Sequence, residues 1–208
     1  MMLGRFISLE GGEGVGKTTN IAYIQSLLAE NDISVLLTRE PGGTPLAEAM
    51  RQLLLDKNQE QITEQAELLM IFAARAQHIK HVIKPALEQG IWVLCDRFTD
   101  ASYAYQGGGR AMDITAIHWL ENFVQGDLRP DLTLLLDAPV QVGMKRAAQR
   151  GKLDRFELEK ITFFEKVRKA YLSMAEQQAE RIKVVDATQN LEQVQAQIHQ
   201  LITQFIHD

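Results

Sequence analysis

Gly11 to Thr18 reads GGEGVGKT, a full match to the pattern G-x-x-x-x-G-K-[ST]. The match follows the apolar run Phe6 to Glu10 and precedes the helically spaced Ile21, Ile24 and Leu28. By chance the pattern arises in roughly one in a hundred chains of this size at average residue frequencies. The strand-before, helix-after context makes accident rarer still. Glycines let consecutive backbone N–H groups turn inward around phosphate oxygens, and a helix starting at Lys17 adds its positive dipole end. The expected phosphate cradle is Gly11, Gly12, Glu13, Gly14, Val15, Gly16, Lys17, Thr18 and Thr19, and the expected ligand is a nucleoside triphosphate. Lys17 suits the β and γ phosphates, and the Thr18 hydroxyl is a hard oxygen ligand for Mg²⁺.

A strand feeding such a loop needs a sheet to belong to. Short apolar runs at Phe6 to Glu10, Ser34 to Thr38, Ile91 to Asp96, Leu132 to Asp137 and Ile182 to Asp186 alternate with longer segments of helical period. That alternation predicts an α/β fold, a doubly wound five-stranded parallel sheet with helices on both faces. The helical stripes are Ile21, Ile24, Leu28; Leu68, Leu69, Phe72, Ile79, Val82, with Gly90 as a stop; Phe163, Phe164, Val167, Tyr171, Met174; and Leu191, Val194, Ile198, Leu201, Phe205. The basic stretch around 146–156 contains Gly151 and reads as a loop or a short flap over a site. With no repeat and no Ser/Gly linker, residues 1–208 form a single domain.

Composition narrows the function. Against 22 Lys and Arg stand 27 Asp and Glu, a formal net charge of −5, so no global field attracts nucleic acid or anionic membrane. The one cysteine, Cys95, sits in an apolar run and is expected to be a buried, inert thiol; a single cysteine forms no intrachain disulfide and suits a reducing, cytoplasmic setting. No apolar run approaches the roughly 18 residues of a membrane span. His78 and His81 share a helix face without a carboxylate or cysteine set around them, and are expected to be structural or solvated, not metal-bound.

A P-loop alone leaves switch GTPases, ATPases and small-molecule kinases open. The guanine-reading N-K-x-D stretch is absent. Four segments, EGGEGVGKTT, TREPGGT from Thr38 to Thr44, DRF from Asp96 to Phe98 and AYQGGGR from Ala104 to Arg110, together resemble the thymidylate kinase family across essentially the whole chain. The resemblance implies a P-loop kinase domain that transfers the γ-phosphoryl group of ATP to dTMP, giving dTDP and ADP on the way to dTTP and DNA. It also implies Mg²⁺ as cofactor and a homodimer. Arg97 of the D-R pair is implied to lie between donor and acceptor phosphates, with Asp96 reaching Mg²⁺ beside Thr18. The P-loop carries Glu13 where some members keep a catalytic arginine, and RAAQRGKLDR supplies Arg146, Arg150 and Arg155. The chain thus resembles the bacterial class with its arginine in the flap called the LID, with Arg150 closing on the phosphoryl group and Arg146 and Arg155 in support. A nucleoside monophosphate has a second pKa near 6, so its attacking oxygen is largely deprotonated and no general base is needed. Aligning two phosphates and stabilising charge then falls to Lys17, Arg97, Arg150 and the metal.

The same resemblance implies a dTMP pocket of Glu13, Arg39, Arg51, Arg75, Arg97, Ser102, Tyr105 and Gln106. Arg75 can donate to a base carbonyl, and Gln106 can donate and accept. Tyr105 would lie under the deoxyribose and exclude a 2′-hydroxyl, and Glu13 would accept from the 3′-hydroxyl. Arg39 and Arg51 would approach the acceptor phosphate or nearby carboxylates. One position departs from the family: a phenylalanine commonly stands four residues before the pocket arginine, and here that residue is Ile71, with Phe72 next to it. Either Ile71 packs on the base or Phe72 swings in.

Overall fold

The computed structural model describes residues 4–57, 60–148, 155–157 and 159–207. Along the chain it runs β1 (Phe6–Gly11), α1 (Lys17–Glu30), β2 (Val35–Arg39), α2 (Pro45–Leu55), α3 (Glu64–His78), a π-helical turn (Ile79–Ile83) and α4 (Lys84–Glu88). There follow β3 (Trp92–Asp96), α5 (Thr99–Ser102), a second π-helical segment (Tyr103–Gly109), α6 (Ile114–Gln125), β4 (Leu132–Asp137), α7 (Val140–Ala148), α8 (Ile161–Gln177), β5 (Ile182–Asp186) and α9 (Leu191–His207). The five strands pair in parallel in the order β2-β3-β1-β4-β5. All five expected strands are present, with ends moved by no more than a residue.

Strand alternation sorts the core into two layers. On one face Ile7, Leu9, Leu94, Leu134, Leu136 and Val185 pack against Ile24, Leu27 and Leu28 of α1 and Val194, Ile198 and Ile202 of α9. On the other, Phe6, Val93 and Cys95 meet Ile79, Ile83 and Ala86, while Leu135 and Ile182 meet Phe163, Phe164, Val167 and Tyr171 of α8. Cys95 is buried, as expected, and burial pushes its thiol well above the ordinary range. Two residues of the expected apolar stripes face outward instead: Leu69 and Leu191 are more than half exposed. No helix among the described residues is long and apolar enough to cross a membrane.

The long helix ending near Gly90 widens into π geometry one turn before Pro85. Proline has no N–H for the i−4 carbonyl, and its ring crowds that carbonyl, so the ladder shifts by one residue. In the second π segment the run Gly107-Gly108-Gly109 allows α8 to approach closely: a Cβ on Gly109 would overlap the Phe163 ring, and one on Gly108 would press on Ala170.

The P-loop leaves β1 between the ends of β3 and β4, where open parallel sheets bind ligands. Its back rests on α7. A Cβ on Gly143 would overlap the Glu13 carbonyl oxygen, and one on Gly14 would overlap the Gly143 carbonyl. Both contacts are backbone, so neither side can yield by turning a side chain. Gly143→Ala is therefore expected to cost about 1–3 kcal/mol through overpacking, read as a lower Tm together with weaker ATP binding. Retained ATP affinity would show that the loop does not depend on this contact.

Candidate active site

At the carboxyl edge of the sheet lies a cavity of about 500 Å³, within the range typical of small-molecule sites. The P-loop and the N-terminus of α1 form one end, from Glu13 to Thr19. Gly14 and Gly16 have positive φ, which permits the tight turn. Lys17 turns back over the loop and donates to the carbonyls of Gly11 (3.2 Å) and Gly12 (3.0 Å). Burial, then the nearby Arg97 charge, hold its ammonium below the usual lysine range.

Arg97 follows β3 directly and has φ +69°, uncommon for a side-chain-bearing residue. Its backbone N–H donates to Leu9 (3.0 Å), and its guanidinium reaches across to the P-loop. There Nη1 donates to the Gly11 carbonyl (2.8 Å) and Nη2 to Glu13 Oε1 (2.6 Å). The guanidinium carbon stands 4.9 Å from the centre of the Tyr105 ring, whose hydroxyl also donates to Glu13 Oε1 (2.8 Å). Arg97, Glu13 and Tyr105 thus meet at one point, joining the donor end to the rest of the cavity. Asp96 lines the same space, and its buried Oδ1 has no hydrogen-bond partner among the described residues.

The far wall is built around Arg75, 1% exposed. Nε donates to Glu40 Oε2 (2.7 Å), while Nη2 donates to the Phe98 carbonyl (3.3 Å) and Ser102 Oγ (3.1 Å). The Phe72 and Phe98 rings lie 4.6 and 5.2 Å from the guanidinium carbon. Nη1 is buried without a hydrogen-bond partner among the described residues. Of the Ile71/Phe72 pair, Ile71 lines the cavity, whereas Phe72 packs with Leu68 and Ile117 behind Arg75. One residue along a helix is about 100° of rotation, which is what separates wall from core.

Arg39, Arg51, Ser102, Tyr105, Gln106 and Arg146 also line the cavity. Arg39 pairs with Glu48 (2.9 Å), Arg51 donates to the Pro41 carbonyl (2.9 Å) and Arg146 to the Ala187 carbonyl (3.0 Å). Arg155 is turned to the Leu54 carbonyl (2.7 Å) and to Glu67 (2.6 Å). Arg150 lies outside the described residues, as does much of the expected LID. Gly11 and Gly12 stand behind the loop and meet Lys17 through their carbonyls.

Three buried carboxylates escaped the reading of the sequence as site-builders. Glu40 joins Arg75 to His78 Nδ1 (2.9 Å), and the other ring nitrogen of His78 is 2.6 Å from Thr38 Oγ1, giving that histidine its expected structural role. Glu67 receives Gln106, Arg110 and Arg155. Glu10 accepts from the Phe98 N–H and the Tyr171 hydroxyl (both 2.7 Å). Glu40 stands inside the TREPGG segment and Glu10 opens EGGEGVGKTT, which were the available signals; Glu67 carries no local pattern.

A P-loop cradle and a polar wall face each other in one cavity, as passing a phosphoryl group from one nucleotide to another requires: the chain is a P-loop nucleoside monophosphate kinase. A sequence profile of the thymidylate kinase family matches residues 9–198. The thymidylate kinase of Ectopseudomonas mendocina is 60% identical over 201 residues, covering 97% of this chain and 96% of the relative. That of Pseudomonas syringae pv. tomato is 56% identical over 205 residues, covering 99% and 98%. The crystal structure of thymidylate kinase from Ehrlichia chaffeensis superposes with a TM-score of 0.77 at 30% identity, covering 96% of this chain and 98% of that one. The chain belongs to the thymidylate kinase family.

Burial raises the Glu10 carboxyl from 4.5 to about 7, with the Asp100 charge adding to it. Between those values the folded protein holds a proton at Glu10 that the unfolded chain has released. Stability therefore falls as pH rises from 4.5 to 7 and levels off above. Glu10→Gln should flatten that slope, measured as urea midpoints across the window relative to wild type. Parallel curves for the two proteins would remove Glu10 as the source.

Proposed function

We propose that, in transferring the γ-phosphoryl group of ATP to dTMP to give dTDP and ADP, the chain binds the triphosphate on residues 11–19 and reads the thymine on the Arg75 wall. The observation that carries this reading is Arg75 on the cavity wall, whose buried Nη1 has no partner among the described residues. A donor so placed costs about 1–3 kcal/mol unless an acceptor meets it, and the O4 carbonyl of thymine is such an acceptor. Gln106 and Ser102 complete the base side, Ile71 supplies the apolar surface under it, and Tyr105 occupies the sugar level with Glu13 at the 3′-hydroxyl. Arg39 and Arg51 serve the acceptor phosphate.

The residues fit Mg²⁺. Thr18 lines the cavity as an exposed residue, and Asp96 of the same cavity has a buried Oδ1 with no partner among the described residues. The described residues hold no group of three or more His, Cys, Asp or Glu that could cage an ion. That suits a cation taken mainly by substrate phosphates and water. When bound, Mg²⁺ neutralises charge on the donor phosphates.

Lys17 neutralises the donor, and Arg97 stabilises the charge shared by donor and acceptor; its bonds to Gly11 and Glu13 already hold it at the loop. The acceptor oxygen arrives ionised, so the side chains position and neutralise and need not abstract a proton. Arg150 with Arg146 and Arg155 as a LID set rests on the family resemblance.

Coupled ADP release should show rapid turnover with dTMP, slower with dUMP and little with AMP or a nucleoside. Equal rates across acceptors would sink the thymine assignment. Arg97→Ala is expected to lower kcat by about 10³, and a loss under tenfold in a folded variant would remove it from the transition state.

We also assign a cytoplasmic homodimer. Ile114, Trp119 and Phe123 of α6 are exposed, and the last two stack at 5.1 Å with planes 7° apart. α6 packs on α3, where Leu69 is exposed too. Sedimentation should give twice 23.5 kDa, and Trp119→Glu with Phe123→Glu should give the single-chain mass. A monomeric wild type would refute the assignment.

A further inference from the structure

Glu67 sits on α3, 1% exposed, with both oxygens engaged. Oε2 accepts from Arg155 (2.6 Å) and Arg110 (3.3 Å), and Oε1 accepts from Gln106 Nε2 (2.9 Å). Arg110 is itself held on the far side by Glu159 (2.5 Å). A carboxylate flanked by two guanidinium groups can only accept. The Gln106 amide must therefore turn its NH₂ toward Glu67, and this settles a choice that an isolated glutamine leaves open. The backbone cannot rotate to undo it, because the Gln106 carbonyl accepts from the Met112 N–H (3.0 Å) within the packed π segment.

The amide carbonyl is then the atom left for the cavity that Gln106 lines, and it accepts no hydrogen bond among the described residues. The cavity wall thus carries the Arg75 guanidinium, a donor, and Gln106 Oε1, an acceptor. A pyrimidine with a carbonyl at position 4 and N–H at position 3 answers both. Cytosine offers an amino group and a bare nitrogen at those positions, reversing each match. We propose that Glu67 is a positioning residue for base selection: by locking the Gln106 amide it makes the site accept N3–H pyrimidines and reject cytosine. The proposal rests on the reading in which Arg75 and Gln106 face the base.

The test is the ratio of kcat/KM for dTMP to that for dCMP. Glu67→Gln lets the Gln106 amide flip, because the new amide can donate or accept. Glu67→Asp keeps the negative charge for Arg110 and Arg155 but withdraws it from Gln106, and serves if the first variant does not fold. Either is expected to lower the ratio by about tenfold or more, equivalent to one hydrogen bond of roughly 1.4 kcal/mol. The KM for ATP should stay within twofold. Gln106→Leu should lower the ratio similarly, and Glu67→Gln added to it should lower it no further, since Glu67 acts through that amide. A folded Glu67 variant that keeps the wild-type ratio within twofold overturns the proposal, as does a further loss in the double variant. Failure of the wild-type protein to phosphorylate dTMP would instead overturn the functional reading, and the wild-type arm alone reveals it.

Discussion

A carboxylate taken out of water costs several kcal/mol unless cations or N–H donors meet both its oxygens. Three such groups stand in the cavity wall or just behind it, Glu40 in the wall and Glu67 and Glu10 behind, and each holds a neighbouring side chain or backbone group. Glu40 holds the Arg75 guanidinium edge-on. Glu67 turns the Gln106 amide. Glu10 grips the Phe98 N–H, the residue after Arg97, and the Tyr171 hydroxyl that approaches Arg97 at 3.4 Å. Removing any of these would leave a cation or donor uncompensated and let a binding group turn away. These side chains are therefore held in orientation before any nucleotide arrives, which lowers the ordering cost of binding.

The sheet makes that arrangement possible. Parallel strands end together, so residues after β1, β2 and β3 reach one edge: Leu9 and Arg39 both stand in register with Asp96. Helices then bring side chains to that edge from the side. α3 contributes Ile71, Arg75 and, from one turn further back, Glu67, while the second π segment contributes Tyr105 and Gln106. The glycines of that segment matter for the same reason, because close approach to α8 fixes where Tyr105 and Gln106 stand.

Much of this was legible beforehand, and the misses have a common cause. The P-loop and the five strands were readable because each belongs to a local pattern, a turn-and-helix motif or an apolar run between helical segments, whereas Arg97 and Arg75 were singled out through the family resemblance. Ile71 and Phe72 were not separable, since both lie on the side of α3 that is turned inward and only the neighbouring α6 decides that Phe72 is covered. Leu69 fitted an apolar stripe and is exposed, because a stripe shows a preference for burial but not which part of it finds a partner.

The sequence by itself determined that this chain cradles phosphate and that it does so on a parallel α/β sheet, since backbone turns and side-chain periodicity depend on near neighbours. The tertiary structure alone decided which carboxylate meets which side chain of the cavity wall. Arg75 and Glu40 are 35 residues apart, Gln106 and Glu67 39, and Arg97 and Glu13 84. Partners at such distances are chosen by which ends of strands and helices are packed together, and no short-range pattern encodes them.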